Sequence, residues 1–292
     1  MSTQSNPGFV ELGRRLGTET LFDYIYKFGY GKKTGIDLNG ESSGILFSLS
    51  QVGPVELATT SFGQGVSVTA LQQVVAVSAA INGGTLYKPY IVKRIVEHET
   101  DQIIKEVDPE IVREGIITKE TSEQVRLTLE SVVSLGTGRN AYIDGYRVGG
   151  KTGTAQKVNN GVYMQGNYIV SFIGFLPAND PQIVVYLAID NPKGVTQYGG
   201  TVSAPIVKNI MEDAIVALGI EKQEGGTDKK YQWYDKKYYT VENVVGLTKK
   251  EASGILRNFI VEYSGSGNTI INQSPEAGTR IAEGSTVRVY LG

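Results

Sequence analysis

Cysteine is absent from the 292 residues, and histidine occurs once, at His98. The first absence removes disulfides, thiolate nucleophiles and most structural zinc sites. The second removes histidine-rich metal centres, and it leaves a Ser-His-Asp triad only if His98 itself serves in one. His98 ends the alternating run Ile91-Val92-Lys93-Arg94-Ile95-Val96-Glu97-His98, which reads as a solvated strand end. No run of 18 apolar residues occurs, so no membrane-spanning helix is expected. Met1-Ser2-Thr3-Gln4 leads straight into polar and helical sequence, so no signal peptide is expected either. A strong charge of one sign is also missing. Lys plus Arg number 28 against 30 Asp plus Glu, which leaves a net charge of -2 and no basic field for nucleic acid or anionic lipid.

What is present is punctuation and periodicity. The length suits roughly two domains of about 150 residues each. Phe9, Leu12 and Leu16 after Pro7 mark a first helix, and Leu21, Tyr24, Ile25 and Phe28 mark a second. Thr34 to Ser50 is rich in Gly and Ser and reads as an ordered loop. Thr69 to Ile81 is apolar nearly all round and stops at Gly83-Gly84, as a buried helix would. Two alternating segments between Tyr90 and Val112 suit a peripheral hairpin, and Thr118 caps a helix carrying Val125, Leu129, Val132 and Val133. Three strands follow over Tyr146–Lys157, Tyr168–Leu176 and Gln182–Ile189, then an amphipathic helix from about Ala204 to Leu218. Strands covered by helices imply an α+β fold with α/β layering.

The polar stretch Gly225-Gly226-Thr227-Asp228-Lys229-Lys230 has linker composition, so residues 1–222 form one domain, 223–238 a linker and 239–292 a second. In the second, Thr248-Lys249-Lys250-Glu251 is a capping box for a helix through Ala252, Ile255 and Leu256. Phe259–Tyr263, Thr269–Gln273 and Ser285–Leu291 alternate as strands. Trp233 among Tyr231, Tyr234, Tyr238 and Tyr239 suits packing of the linker against one domain better than a sugar platform.

The chemistry concentrates in Lys151-Thr152-Gly153-Thr154, which puts an ammonium and two hydroxyls on one strand, with a glycine that lets a ligand approach the backbone. Such a strand can hold an extended peptide by main-chain hydrogen bonds while Lys151 holds a carboxylate. Alone, Lys-Thr-Gly is a weak signal. Elsewhere, Asp37 and Glu41 are too loosely spaced to argue for a paired acid and base, and Asp190-Asn191-Pro192-Lys193 reads as a strand-ending turn. Tyr163 and Tyr168 suit either cleft lining or cross-strand packing.

Over nearly the whole chain the residues resemble the penicillin-binding transpeptidases. Val148-Gly149-Gly150-Lys151-Thr152-Gly153-Thr154-Ala155-Gln156 is similar to that family's third motif, and Ser171-Phe172-Ile173-Gly174-Phe175-Leu176-Pro177-Ala178 to the strand beside it. Phe62-Gly63-Gln64-Gly65, Val68-Thr69-Ala70-Leu71-Gln72, Asn82-Gly83-Gly84 and Gly136-Thr137-Gly138 match further segments in order. Asn6-Pro7-Gly8-Phe9 resembles the helix start that follows the family's Ser-x-Asn motif. Residues 239–292 resemble a PASTA module, as attached to some transpeptidases and Ser/Thr kinases of Gram-positive bacteria, through Val244-Val245-Gly246-Leu247, Gln273-Ser274-Pro275-Glu276-Ala277-Gly278 and Glu283-Gly284-Ser285-Thr286-Val287. The combination most resembles the class B, sporulation-type enzymes.

The resemblance implies a partial penicillin-binding/β-lactamase-like fold and a D,D-transpeptidase of peptidoglycan crosslinking, in cell-wall or spore-cortex synthesis. It implies Lys151, Thr152, Gly153 and Asn6 as the catalytic set and Thr154, Ala155 and Gln156 as substrate-binding residues, with no cofactor and no metal. The implied partners are a stem peptide ending in D-Ala-D-Ala, β-lactam antibiotics and cell-wall synthesis proteins. The implied place is the extracytoplasmic face of the cell membrane, with an anchor outside this chain. Lys151 with the Thr152 and Thr154 hydroxyls would take the terminal carboxylate, the Thr154 N–H would serve an oxyanion hole, and Asn6 would contact the peptide amide. The family's nucleophile is the serine of Ser-x-x-Lys, and no serine near the N-terminus here stands three residues before a lysine. Gln4 stands where Ser-x-Asn requires serine, with Ser5 one place off. The chain is therefore expected to begin after the nucleophile and to form no acyl-enzyme alone. The alternative is a non-catalytic module that binds peptidoglycan or β-lactam.

Overall fold

The computed structural model describes residues 5–159, 162–229 and 237–292, in two units that divide between Lys229 and Lys230. Gln4, Tyr231, Trp233 and Tyr234 lie outside the described residues. The first unit opens with helix α1, Asn6–Leu16, whose first turn holds Pro7 and whose cap is the Ser5 hydroxyl, accepting from the Gly8 N–H at 3.4 Å. Helix α2, Thr18–Lys27, follows directly after Gly17, whose φ of 81° no β-carbon would favour. Helix α3, Pro54–Ser61, has no counterpart in the periodicity, because its eight residues carry too short an apolar pattern to register. Local chemistry starts it instead: Pro54 stands in the first turn and the Glu56 carboxylate accepts the Gly53 N–H at 2.9 Å. α1 and α3 approach at Gly13, where a β-carbon would fall 1.8 Å from the Ser61 hydroxyl.

The Gly- and Ser-rich stretch is ordered by side chains that bond its backbone. Buried Gln72, at the start of helix α4 (Ala70–Ile81), donates to the carbonyls of Lys32 at 2.8 Å and Ser43 at 2.9 Å. Its Oε1 accepts the Thr69 N–H at 2.9 Å, closing a reciprocal cap. Glu41 accepts from the amides of Thr34 and Gly35, and Asp37 from those of Ile91 (2.8 Å) and Val92 (2.9 Å). Both carboxylates are held below the usual range, Asp37 by those two backbone N–H groups and Glu41 by its Thr34 and Gly35 donors against the opposing effect of burial. They are loop staples.

Two small antiparallel pairs come next. Strand β1, Leu86–Lys88, pairs with β4, Glu110–Arg113, while β2, Arg94–Val96, and β3, Ile103–Glu106, form the peripheral hairpin. Helix α5, Lys119–Ser134, is capped by Thr118 as its sequence requires. Strands β5 (Gly149–Asn159), β6 (Val162–Leu176) and β7 (Ile183–Asp190) then form an antiparallel meander in the order β5-β6-β7. Helix α6 runs Gly199–Leu218, starting five residues before the amphipathic pattern suggests. Pro205 obscures that start, since an interior proline reads as a first-turn residue. The true start is fixed by the Tyr198 carbonyl, which accepts from Thr201 at 3.0 Å and Val202 at 2.9 Å.

Strand alternation sends Phe172 and Leu176 to one face of the sheet, where they meet Val207, Met211 and Ile215 of α6. It sends Phe175 to the other, against Ile81 of α4. Helices on both faces give the layered α+β arrangement. Gly149 and Gly150 leave room for the two rings: a β-carbon would fall 2.2 Å from Cζ of Phe175 at the first and 2.4 Å from Cζ of Phe172 at the second.

Residues with linker composition are held to this unit. Ile220 is buried in the α6 core, Gln223 donates its N–H to Gly145 at 3.0 Å, and Thr227 donates its N–H to Glu130 at 3.2 Å. Glu130 also takes Arg147 in a two-point ion pair at 3.0 and 2.7 Å, with the two side chains only 3% and 15% exposed. The Glu130 carboxylate pushes the Arg147 guanidinium up from its ordinary value.

The second unit pairs β8, Tyr238–Thr240, with β11, Arg280–Ala282. Helix α7, Lys249–Ile255, has its capping box complete, with Thr248 donating its N–H to Glu251 at 2.9 Å. Strand β12, Thr286–Leu291, lies between β9, Ile260–Gly265, in parallel and β10, Ile270–Ser274, antiparallel. Its core is Val241, Val244, Ala252, Leu256, Ile270, Val287, Val289 and Leu291. Buried Gln273 fastens the entry loop by accepting the Val244 N–H at 2.8 Å and donating to the Glu242 carbonyl at 3.1 Å.

Breaking a buried ion pair from one side leaves the other charge uncompensated. Glu130→Ala is expected to destabilise the first unit by about 3–5 kcal/mol, whereas the apolar double variant Glu130→Met/Arg147→Leu recovers most of that. Calorimetry checks this, and a double variant no better than the single one refutes it. Gln72→Leu, which leaves two carbonyls and one N–H unpaired, is expected to cost about 2–3 kcal/mol by the same measurement.

Candidate functional site

Gly149–Asn159 forms strand β5 at one edge of its sheet, with only β6 as a neighbour among the described residues. Its register is uninterrupted through the motif: Lys151 lies opposite Ile173, Thr152 opposite Phe172, Gly153 opposite Ser171 and Thr154 opposite Val170. The pleat therefore divides the motif between two faces. Thr152 and Thr154 share the face of Phe172 and α6. Lys151 shares the face of Gly149 and Phe175, on which α4 packs. The ammonium and the two hydroxyls thus lie on one strand but on opposite faces of it, since residues one apart on a strand point opposite ways.

The hydroxyl face is built by three segments. Thr152 Oγ1 lies 3.2 Å from Thr137 Oγ1, in the turn after α5. Thr154 Oγ1 accepts the Gly199 N–H at 3.4 Å, at the first residue of α6. Gly199 comes so close that a β-carbon would fall 2.1 Å from the Ser171 carbonyl oxygen and 2.6 Å from that of Gly153. At Gly200 a β-carbon would fall 2.3 Å from the Thr137 carbonyl oxygen. Asn140 completes the joint by donating to the Gly200 carbonyl at 2.7 Å. Two hydroxyls thus stand beside the start of a 20-residue helix, whose dipole favours a negative group there.

On the other face Lys151 is half-buried, and burial lowers its pKa below the ordinary lysine value. Its ammonium donates to the Thr152 carbonyl at 2.8 Å. Tyr186 of β7 lies in the same cross-strand row through Ile173. Tyr30, whose phenol donates to Gln73 at 2.9 Å, is pushed well above the ordinary tyrosine value, first by burial and then by Tyr186.

The remaining candidates divide. Gln156 pairs with Tyr168 and donates its side chain to the Met164 carbonyl at 3.1 Å, which serves the hairpin itself. Ala155 is exposed opposite Ile169. Tyr163 lies opposite Val158 in the same hairpin. Asn6 opens α1 on the helical side, remote in sequence from β5. Sequence reasoning missed Thr137, Asn140 and the Gly199-Gly200 doublet as site residues. Their signals were Gly136-Thr137-Gly138 and two adjacent glycines before a helix, but nothing in the sequence placed them at β5. Among the described residues there is no group of three or more metal-ligating side chains, and no helix is long and apolar enough to cross a membrane.

Comparison with known proteins agrees with this geometry. Residues 1–212 match the penicillin binding protein transpeptidase domain and residues 239–292 match the PASTA domain. The chain is 60% identical over 286 residues to stage V sporulation protein D of Bacillus subtilis, covering 98% of this chain and 44% of that protein. It is 35% identical over 221 residues to the probable peptidoglycan D,D-transpeptidase PenA of Neisseria meningitidis serogroup A, covering 75% of this chain and 36% of that one. It spans less than half the length of either relative. Among solved structures, penicillin binding protein 3 of Mycobacterium tuberculosis in complex with ampicillin superposes with a TM-score of 0.68 at 30% identity, over 78% of this chain and 53% of that one. An edge strand carrying Lys-Thr-Gly-Thr against the start of α6, and a matched domain spanning most of the chain, lead to one conclusion: the chain belongs to the penicillin-binding protein transpeptidase family and ends in a PASTA domain.

Proposed function

We propose that this chain supplies the substrate-binding side of a penicillin-binding D,D-transpeptidase that crosslinks peptidoglycan in cell-wall or spore-cortex synthesis. The observation that carries the reading is the pair of hydroxyls, Thr152 and Thr154, side by side on an edge strand at the start of α6. An edge strand offers main-chain groups to an extended peptide, and the two hydroxyls with the helix dipole offer donors to its terminal carboxylate. A stem peptide ending in D-Ala-D-Ala has that form, and a β-lactam carries the same carboxylate. Lys151, at the same edge on the opposite face, helps hold that carboxylate through its positive potential. The Thr154 N–H serves as one oxyanion donor and Asn6 contacts the peptide amide. Gly153 keeps the strand free of a side chain where Ser171 lies beneath.

The serine nucleophile in this reading comes from outside the chain, because no serine of the sequence stands three residues before a lysine. The working enzyme sits at the extracytoplasmic face of the cell membrane, anchored by sequence outside this chain, among cell-wall synthesis proteins.

Incubated with a fluorescent penicillin, the chain alone is expected to show no covalent adduct by intact-mass spectrometry; a stoichiometric adduct refutes the assignment of the nucleophile elsewhere. N-acetyl-D-alanyl-D-alanine is expected to shift the backbone resonances of Thr152, Thr154 and Gly199. Thr152→Val and Thr154→Val should each weaken that binding about tenfold, the loss of one hydrogen bond to a charged group. The folded pKa of Lys151 lies below its unfolded value, so the unfolded state binds more protons between the two. The first unit should therefore gain stability as pH rises through the depressed pKa towards about 10.5. An NMR titration of Lys151 checks the direction, and bound peptide carboxylate should move its midpoint up.

A further inference from the structure

The connection from β7 to α6, residues 191–198, is fastened to β6 by two side-chain amides and one main-chain N–H. Gln197 Oε1 accepts the Tyr168 N–H at 2.9 Å, and its Nε2 donates to the Gly166 carbonyl at 3.1 Å and to Asn191 Oδ1 at 3.3 Å. The chemistry of these partners fixes the amide's orientation. A backbone N–H must face oxygen and a carbonyl must face the NH₂, so a flipped Gln197 would lose both bonds. Asn191 adopts the left-handed conformation, with a φ of 50°, which asparagine tolerates best among residues with a side chain. Its N–H donates to the Tyr168 carbonyl at 2.9 Å and its Nδ2 to Asn167 Oδ1 at 2.7 Å.

Two residues beyond Gln197, the Gly199 N–H meets Thr154 Oγ1. A hydroxyl has one proton to give. Because Thr154 Oγ1 already accepts from Gly199, its proton is left to point away from the helix, towards whatever binds along β5. If the connection slackened, Oγ1 would lose that donor and the hydroxyl would turn freely. We infer that Gln197 is a positioning residue, one that clamps the 191–198 connection onto β6 and so holds the Gly199 N–H where it orients Thr154 as a donor to the ligand carboxylate. The ligand part rests on the site reading given above; the clamp itself does not.

The test uses the ¹⁵N-labelled full chain with Gln197→Met, which keeps length without polar atoms, and Gln197→Glu. Gln197→Met is expected to raise hydrogen exchange at the Gly199 amide about tenfold by local opening. It should weaken N-acetyl-D-alanyl-D-alanine about 5- to 10-fold, as loss of one oriented hydrogen bond to a charged group would. Gln197→Glu supplies a signature that a merely structural role lacks. As a carboxylate it still accepts from Tyr168 but turns bare oxygen towards Gly166 and Asn191, whereas the protonated acid restores one donor. Its Gly199 resonance should therefore approach that of the native chain near about pH 4 and that of Gln197→Met near about pH 7, while the native resonance moves little. Charged residues of the adjoining strand end and turn are Asp190, already ion-paired with Lys157 at 2.7 Å, and Lys193. Native exchange at Gly199 in Gln197→Met, or a pH-independent Gly199 resonance in Gln197→Glu, overturns the inference. A Gly199 response in a chain that binds no peptide would sink the ligand reading and leave the clamp standing.

Discussion

The close approach of Gly199 to the β5–β6 pair is the constraint on which the site depends. A helix start can lie against two strand carbonyls only where no side chain intervenes, and the 2.1 and 2.6 Å distances from a hypothetical β-carbon show how completely that space is used. From this contact follow the bond from Gly199 to Thr154, the seating of Gly200 on Thr137 and the direction of the α6 dipole. The rest of α6 secures it. Val207, Met211 and Ile215 bury against Phe172 and Leu176, and Ser203 donates to the Val170 carbonyl at 3.1 Å, so the helix cannot slide along the sheet without losing both packing and a buried hydrogen bond.

Around that contact the unit is closed by polar staples rather than by covalent links, as a chain without cysteine must be. Gln72 joins a glycine-rich loop to α4, and Glu130 with Arg147 joins α5 to the strand entry and to Thr227. Gln273 does the same work in the PASTA domain. Each is buried and satisfied on several sides, and removing one partner strands the others in a low-dielectric interior. Asp37 and Glu41 act at the surface by the same logic, each carboxylate spanning two consecutive backbone N–H groups.

The motif strand presents different groups on its two faces. Thr152 and Thr154 look towards α6, while Lys151 looks towards the helical layer and sits where burial disfavours its charge. Such a division keeps the two hydroxyls and the ammonium on opposite faces of one strand.

The sequence by itself determined the elements and their caps. Thr118 and Thr248 announced helix starts through hydroxyl-to-N–H bonds that span three residues, and the alternation in β6 and β7 announced strands. It also carried the family motifs, since these are contiguous. It did not show α3, which is too short for a period, nor the early start of α6, which Pro205 disguised. Above all it could not bring Thr137, Asn140, Gln197 and Gly199 to Thr152 and Thr154. Those residues are separated by up to about 60 positions along the chain, and only the packing of α6 across the sheet, a contact between distant segments, decides that they meet.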